Sequence, residues 1–386
     1  MDYLFAASQL LPELTEIYRA FHRIPEPSWK EVKTHGLIRT YLEALDIDYE
    51  APAPNITLAA VGQGKKTLGF RADTDALQLT EKTGLPFAST HPGLMHACGH
   101  DAHIAVLLGA AKLLKARENE LTGRVRLIFQ PAEEGELGAQ AVMDTGLIDD
   151  LDAVYALHVW SSYPAGEMRV SPGGVAASCD MFTLKIHGRC GHGAMPEQAL
   201  DTIVCASQLI LQLQTIVSRF TSPMDPVALT IGSFHAGTRC NIIAGEAVLE
   251  GTIRTFDPET YKKVHALFDR MVESCCHACG CTFDLDMRPA CPVTWNDEEL
   301  AAIARAAAGK VHPDGALPDL PSALGDDIAE YAAIAPVCYI KLGVRNEAIG
   351  ACHPHHSEFF RIDETALPVG AAWLYQIARD WLAKQT

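Results

Sequence analysis

Two short segments of the chain carry side chains of the kinds that bind metal ions and transfer protons. Residues 96–101, with the sequence HACGHD, offer a thiolate from Cys98 and an imidazole from His100. Residues 130–134, with the sequence QPAEE, offer two adjacent carboxylates. Each segment lies beside the end of a predicted strand. Together they predict a hydrolytic metal site that keeps one carboxylate as a base.

The two carboxylates, Glu133 and Glu134, follow an apolar predicted strand. Neighbouring side chains of an extended chain point to opposite sides, so one carboxylate could bind a metal ion while the other reaches the activated water. Two acidic residues at a solvated strand edge are the alternative. If the backbone of residues 96–100 is also extended, Cys98 and His100 face the same side and the same ion.

Four histidines are further candidates for this site. His158 ends the apolar run 153–157, where a buried histidine with a structural role is the alternative. His353, His355 and His356 lie together just before the predicted final helix. Three histidines in four positions are difficult to bury without a function, so we expect at least one of them to bind a ligand.

A cysteine-rich segment, residues 275–281 with the sequence CCHACGC, has the spacing of a zinc or redox motif. It also spans a predicted helix end and strand start, and Gly280 suits the C-cap of that helix. The sequence has no second C-x-x-C pair that would complete a four-ligand set. Cysteines that pack in the core are therefore the favoured interpretation, with a metal or redox role as the alternative.

The periodicity of apolar residues predicts an α/β fold. Helical spacing covers residues 8–22, 33–45 and 104–116, and Asp101 is placed to cap the last of these helices. Strands alternate with these helices, as in a layered α/β domain. The predicted strands are 56–61, 67–71, 125–129 and 153–158.

A second unit is predicted after the break near Ser171-Pro-Gly-Gly. From there the elements follow the order βαββαβ, which is typical of a ferredoxin-like sandwich. After Pro292 the chain returns to predicted helices, at 297–309 and 326–334, then to a strand and a long final helix. We predict a catalytic α/β domain, with a mixed sheet flanked by helices, and an inserted ferredoxin-like lid and dimerisation domain. The predicted boundaries are 1–174 with 289–386 for the first domain and 175–288 for the second.

Composition excludes some partners and indicates a compartment. The chain has 386 residues and a net charge of −17, from 48 acidic and 31 basic residues, which argues against nucleic acid and against an anionic membrane surface. No apolar run approaches the roughly 20 residues of a membrane span, and the N-terminal residues lack the basic region of a secretory signal. Many of the twelve cysteines lie in apolar runs, so we expect core thiols in a reducing cytoplasm.

The motifs resemble a known enzyme family over nearly the whole chain. They are similar to the aminoacylase and carboxypeptidase G superfamily of dinuclear metallohydrolases, peptidase family M20. The closer resemblance is to its amidohydrolase branch, which includes hippurate hydrolase, auxin-conjugate hydrolases and N-acyl-amino acid deacylases. The motifs that carry the resemblance are FHRIPEP at 21–27, RADTDAL at 71–77, MHACGHD at 95–101, QPAEEG at 130–135 and GTIRTF at 251–256.

The resemblance implies a site with two divalent metal ions. It implies Glu133 as the general base that activates water. Alignment on Phe360 places the last ligand at His356, with His355 as the second choice. Mixed sulfur, nitrogen and oxygen ligands suit zinc, manganese, cobalt or nickel. The implied ligands are Cys98, His100, Glu134, His158 and His356.

The resemblance also implies contributions from the inserted domain. His192 matches a lid histidine that reaches the active site, in relatives from the partner subunit, where it would stabilise the oxyanion. Asn241 and Arg254 match lid residues that hold the substrate's carboxylate or the developing oxyanion. An inserted sandwich also offers an exposed sheet edge and helices, so we expect a homodimer or a higher homo-oligomer.

Three positions depart from the family pattern. Glu358 and Ala244 each stand where a proline is common. The usual Ser-Glu-Asp reads Gly325-Asp-Asp, near the place where the family's site is completed. We expect the first two to alter loops and the third to influence substrate choice.

These observations favour a metal-dependent amidohydrolase that cleaves the amide bond of small N-acyl amino acids, such as N-acetyl or N-benzoyl derivatives. The products would be a carboxylic acid and an amino acid. A dipeptidase or aminopeptidase on the same scaffold is the first alternative. A thiol-redox or metal-storage protein that uses residues 275–281 is the second. A binding protein without catalysis is the third, and the intact Glu133 and full ligand set argue against it.

Overall fold

The computed structural model describes residues 8–135 and 137–384. Its strands, in chain order, are β1 Tyr49–Ala53, β2 Ile56–Val61, β3 Thr67–Asp73, β4 Arg124–Gln130, β5 Ala153–Pro164, β6 Met168–Arg169, β7 Gly173–Ala176, β8 Cys179–His187, β9 Gly191–His192, β10 Val227–Ala236, β11 Ile242–Ile243, β12 Glu246–Thr255, β13 Thr282–Cys291, β14 Thr294–Asn296, β15 Ala316–Leu317 and β16 Val337–Arg345. Its α-helices are α1 Leu11–His22, α2 Val32–Ala44, α3 His100–Lys115, α4 Gly138–Met143, α5 Thr202–Thr215, α6 Pro258–Ala278, α7 Glu298–Val311 and α8 Leu367–Lys384.

The described chain divides into two compact units. The first contains the described residues up to Gly173, together with Trp295–Leu320 and the described residues from Asp327 onward. The second contains Gly174–Thr294 and Pro321–Asp326. The first unit is therefore discontinuous in sequence, because most of the second unit is inserted between two of its segments.

The first unit is built on a mixed eight-stranded sheet. Its strand order is β1-β2-β4-β3-β5-β16-β6-β15, and the central strands β4, β3, β5 and β16 run parallel to one another. Every residue of β3 is buried, as is all of β16 except its last residue. Burial on both faces is typical of parallel strands that are covered by helices. The predicted mixed sheet flanked by helices is confirmed.

Helices α3 and α8 pack on this sheet, and α1 packs on both of these helices. Gly109 of α3 permits the close approach, because a Cβ there would lie 2.8 Å from Leu14 of α1 and 3.0 Å from Ala371 of α8. On α8, the indole N–H of the fully buried Trp373 donates a 2.8 Å hydrogen bond to the carbonyl oxygen of Ala304 on α7. Burial and hydrogen bonding together hold these helices as a rigid support for the sheet.

The second unit has a four-stranded antiparallel sheet with the order β10-β12-β8-β13. With helices α5 and α6 between its strands, this is the order of a ferredoxin-like fold. Apolar residues of the sheet and of both helices, among them Phe182, Leu209 and Phe268, form a core of its own. Asp201 and Asp257 cap the two helices by accepting backbone N–H groups of their first turns.

Two local predictions at the start of helix α3 are wrong. Helix α3 begins at His100 rather than Ile104, after Gly99 with a φ of 90°, so Cys98 and His100 do not lie on one extended strand. Asp101 lies inside the first turn and accepts the N–H of Ala102, so it is not the N-cap. The helix predicted over 326–334 is present as a 3-10 helix, Asp327–Ala333.

One helical stretch of the described residues, Thr202–Phe220, is long and apolar enough to cross a membrane by length and composition alone. It has 19 residues, and three glutamines and Arg219 interrupt its apolar side chains. Its Cys205, Leu209 and Leu213 pack into the core of the second unit. Core helices of folded domains pass the same test.

Candidate metal centre

The candidate site lies at the carboxyl ends of the central parallel strands, where α/β folds usually bind ligands. Strand β3 leads into Asp75, and β4 leads into Glu133 and Glu134. His158 lies within β5, the next strand of the sheet. The sheet therefore brings together side chains that are far apart in sequence.

Thiol, imidazole and carboxylate groups converge at this edge. The ligand atoms of Cys98, His100 and His158 all lie within 4.8 Å of one another, and so do those of Cys98, Glu134 and His356. The Cys98 Sγ atom is 3.6 Å from His158 Nε2. Because Cys98 belongs to both sets, the arrangement fits two cations that share a cluster of sulfur, nitrogen and oxygen donors.

Hydrogen bonds fix the tautomers of His100 and His158, two buried histidines of the cluster. The Nδ1–H of His100 donates to the carbonyl oxygen of Asp75 at 2.9 Å, and that of His158 donates to the carbonyl oxygen of Val159 at 2.6 Å. Each ring therefore keeps its Nε2 lone pair for a cation. The buried His100 Nε2 atom has no hydrogen-bond partner among the described residues, which fits a metal ion at this place.

The segment that carries the two glutamates is a turn, not an extended strand. Ala132 has a φ of 53°, and its N–H donates a 2.8 Å hydrogen bond to the buried Glu31 carboxylate. The Asp75 carboxylate accepts the N–H groups of Glu133 at 3.2 Å and of Glu134 at 3.0 Å. The prediction that alternation along a strand separates the two carboxylates is therefore wrong. The turn instead brings both of them within 4.8 Å of His100.

The three histidines near the C-terminus have different surroundings. His356, with a φ of 62°, places its Nε2 3.1 Å from Glu134 Oε1. His355 Nε2 accepts the N–H of Ser161 at 3.1 Å, and His353 contacts the ring of Phe359. The structure thus brings His356 to the donor cluster, and His355 lies beside it, with its ring centroid 5.3 Å from that of His158.

Sequence reasoning from residue types missed Asp73, Asp75 and His103. Asp73 Oδ1 accepts the Nδ1–H of His103 at 2.5 Å, and His103 Nε2 accepts the N–H of Val159 at 2.9 Å. Asp75 orients His100 and the turn of the two glutamates. The motif RADTDAL contains both aspartates and could have indicated their importance. It does not show which side chains or backbone groups they hydrogen bond to.

The electrostatics of the cluster suit bound cations. Burial lowers the pKa of His158 well below its usual range, so its imidazole is neutral and can act as a ligand. Burial raises the pKa of the Cys98 thiol, although the nearby His100 opposes this shift. Burial disfavours a charged His100, yet the nearby Asp73 and Asp75 raise its pKa well above the usual value. The surrounding carboxylates therefore favour positive charge at this position.

The predicted lid residues belong to the second unit. His192 and Asn241 lie on adjacent segments, since β9 pairs with β11 and the carbonyl oxygen of Asn241 accepts the N–H of Gly193 at 2.9 Å. The His192 side chain is exposed, and its Nδ1 accepts the N–H of Ala194 at 3.1 Å. Arg254 lies on β12 and donates from Nη1 to the carbonyl oxygen of Ala323 at 3.2 Å.

A thiol pair lies close to Arg254. Cys179 and Cys291 are register partners on β8 and β13. A hydrogen bond from Cys291 and the charge of Arg254 lower the pKa of Cys179 to about 6, although burial opposes the shift. A Cβ at position 325 would lie 2.3 Å from the Cys291 Sγ atom, so Gly325 is the residue that leaves room for this cysteine.

Comparisons with known proteins agree with this architecture. Residues 69–380 match Peptidase family M20/M25/M40. The chain is 38% identical to the N-acetyl-L-cysteine deacetylase of Bacillus subtilis, over 96% of this chain and 89% of that protein. It is 35% identical to thermostable carboxypeptidase 1 of Saccharolobus solfataricus, over 93% of this chain and 92% of that protein.

A solved structure is also similar. The YXEP protein of Bacillus subtilis, described as a dinuclear metal binding peptidase from the M20 family, matches with a TM-score of 0.85 at 31% identity. The match covers 97% of this chain and 99% of that protein. Both the sequence match and the fold extend over the unit that holds the donor cluster. The chain therefore belongs to Peptidase family M20/M25/M40, and it is a metal-dependent hydrolase of amide bonds.

Proposed function

We propose that the protein hydrolyses the amide bond of N-acyl amino acids, such as N-acetyl or N-benzoyl derivatives, to a carboxylic acid and an amino acid. The observation that carries the proposal is the donor cluster around Cys98, with the Glu133 carboxylate within reach of it. The similarity to an N-acetyl-L-cysteine deacetylase over nearly the full chain supports this substrate class.

Two divalent ions per subunit, zinc, manganese, cobalt or nickel, would occupy the cluster. When bound, they would lower the pKa of a water molecule and polarise the amide carbonyl. The residues that would hold them are Cys98, His100, Glu134, His158 and His356.

Glu133 is the proposed general base. Its Oε2 atom lies 3.8 Å from His100 Nε2, and its backbone N–H is held by Asp75. From this position the carboxylate would take a proton from water and then deliver it to the leaving amine. A side chain that carries the proton in both steps must keep a fixed position. The hydrogen bonds of Asp75 to the turn hold Glu133 in that position.

Residues of the second unit would recognise the rest of the substrate. Because His192 Nδ1 accepts a backbone N–H, a neutral His192 carries its proton on Nε2 and can donate it to an oxyanion. Arg254 and Asn241 would bind the carboxylate of the amino-acid half. In the first unit, a cavity of about 490 Å³ beside Glu134 and His356, lined also by Leu77 and Leu79, has a size typical of small-molecule sites.

The test measures amine release from a panel of N-acyl amino acids and dipeptides, with chelator-treated enzyme before and after reloading with manganese or zinc. We expect metal-restored cleavage of N-acyl substrates. Glu133→Gln should lower kcat about 10²- to 10⁴-fold while the metal content stays unchanged, and Glu299→Gln on the exposed face of α7 is the matched control. Loss of metal together with activity would contradict the assigned role of Glu133.

A peptidase activity is the second candidate. The 35% identity to a thermostable carboxypeptidase favours it, and recognition of a substrate carboxylate would serve both activities. Cleavage of dipeptides without cleavage of N-acyl amino acids would select this alternative.

We also propose a homodimer, or a higher homo-oligomer, formed through the second unit. Strand β10 is an edge of its sheet, and most of its residues are exposed or half-buried. On the neighbouring helix, Ile203, Val204 and Leu211 are exposed, with Leu211 at 72%. An edge strand beside an exposed apolar helix face suits a second copy of the same chain across a two-fold axis.

A reducing compartment such as the cytoplasm is the proposed location. Support comes from the cysteines, all twelve of which are present as thiols in the described structure.

A further inference from the structure

Five cysteines of the second unit lie together where α5 packs against α6. One of them, Cys205, comes from α5, and the others come from the end of α6 and the turn that follows it. The Cys205 thiol lies beside those of its four neighbours. These neighbours are Cys275, Cys276, Cys279 and Cys281.

Three of these thiols have the mutual geometry of metal ligands. The Sγ atoms of Cys205, Cys275 and Cys279 all lie within 4.8 Å of one another. In a tetrahedral zinc site with bonds near 2.3 Å, sulfur atoms are about 3.8 Å apart. A movement of about 1 Å or less would therefore bring the three sulfur atoms to ligating distances.

A fourth donor is available beside them. The Cys279 thiol donates to the amide oxygen of Gln208 at 3.8 Å. Gln208 follows Cys205 by three residues on α5, and Cys279 follows Cys275 by four at the end of α6. Side chains with these spacings share one helix face, so each helix presents two donors to the same point.

The local backbone also favours a cation. Cys279 is the C-cap residue of α6, and its N–H donates to the carbonyl oxygen of Cys275. Gly280, with a φ of 70°, then turns the chain, and the N–H of Cys281 donates to the carbonyl oxygen of Cys276 at 2.9 Å. The C-terminal end of a helix carries partial negative charge, which stabilises a cation near its last turn.

We propose that Cys205, Cys275 and Cys279 form a second metal site, for a thiophilic cation such as Zn²⁺ or Cu⁺. Each thiol loses its proton when the cation binds, and the Gln208 oxygen completes four-fold coordination of Zn²⁺. This site contains none of the residues proposed to hold the catalytic ions.

Access to the site is from the solvent side of α6. Cys279 is partly exposed and Gln208 is exposed, whereas Cys205 and Cys275 are buried. Cys205 and Cys275 thus form the buried side of the site, and Cys279 and Gln208 form the side that a cation reaches from solvent.

The first test is cobalt(II) substitution of the reduced full-length chain, because thiolate ligands give a charge-transfer absorption that grows with their number. Three thiolates would come from this site and one from Cys98. The double variant Cys275→Ala/Cys279→Ala, which loses this site, should therefore have about one quarter of the wild-type absorption. Cys98→Ala should keep about three quarters of it. Cys338→Ala, at a buried thiol of the first unit, is the control and should change nothing.

The second test uses only the unaltered chain, so it does not depend on how a variant folds. The alkylation rate of Cys279 is followed by peptide mass spectrometry with and without one equivalent of Zn²⁺ or Cu⁺ beyond the catalytic load. We expect at least a tenfold slower reaction of Cys279, with the exposed Cys190 and Cys240 unaffected. Protection by one of the two ions identifies the cation. A cobalt spectrum that depends on Cys98 alone, or unprotected Cys279 with both ions, would overturn the proposal.

Discussion

Asp75 organises the candidate catalytic site although it is not among the proposed ligands. Its carboxylate accepts the hydroxyl of Ser28 at 2.7 Å and the N–H groups of the Glu133-Glu134 turn, and its backbone carbonyl accepts the His100 ring. Burial opposes a charged Asp75, but the hydrogen bond and charge of His100 outweigh it and lower the pKa of this carboxyl. One side chain therefore fixes the direction of both an imidazole and a pair of carboxylates.

Asp75→Asn should weaken the site without removing a ligand. The amide offers one oxygen in place of two, so the Glu133-Glu134 turn loses part of its support. Metal affinity and kcat/KM should each fall about 10- to 100-fold, as is usual for residues that orient metal ligands. Equilibrium dialysis and the amine-release assay measure the two effects, with the exposed Asp314→Asn as the control. Unchanged metal affinity and activity would contradict an orienting role for Asp75.

At the scale of secondary structure, His35 joins helix α2 to the sheet. Its Nδ1 lies 2.9 Å from the Thr57 hydroxyl on β2, and its Nε2 lies 3.1 Å from the Thr74 hydroxyl after β3. Burial lowers the pKa of His35 to about 3. The folded protein therefore holds this histidine neutral, while the unfolded chain protonates it near pH 6.5.

The sign of the pH effect follows from these two pKa values. Because the folded pKa is below the unfolded one, the unfolded state binds more protons between about pH 6.5 and pH 3. His35 should therefore cost up to about 1.4 kcal/mol of stability for each unit by which pH falls in this window.

His35→Gln should remove this part of the pH dependence, because glutamine can hydrogen bond to both threonines and does not titrate. Urea unfolding of wild type and variant at several pH values between 4 and 7 measures the difference in slope. His312→Gln, at a half-buried surface position, serves as the control. Equal slopes for wild type and His35→Gln would show that His35 is not buried as a neutral group.

At the scale of the whole molecule, the proposed dimer depends on the apolar face of α5. Leu211→Glu places a charge at the most exposed of the apolar residues on this helix. We expect the dimer dissociation constant to rise about 100-fold, equivalent to about 3 kcal/mol. Sedimentation equilibrium measures this change, and Leu320→Glu, at a residue of the first unit that is 69% exposed, is the control. A wild-type chain that sediments as a monomer would exclude the dimer.

Local sequence patterns specify the types of chemical group and the broad fold of this protein. Motifs such as MHACGHD and QPAEEG contain the thiol, imidazole and carboxylates within a few residues, so these groups can be identified from short sequence segments. The helical and strand periodicities likewise predict both units, because each element buries a continuous apolar face. The resemblance carried by these motifs indicated the family.

The orientation of these groups depends on tertiary contacts. The orienting contacts join residues far apart in sequence, as Asp75 does with Glu134, and no local pattern specifies such a pair. The left-handed backbone of Gly99 and Ala132 also replaced the expected extended segments with turns, which changes where Cys98 and Glu133 point. Likewise, Cys205 meets Cys275 and Cys279 only because α5 and α6 pack side by side. Contacts of this kind depend on the packing of whole elements, which sequence spacing does not encode.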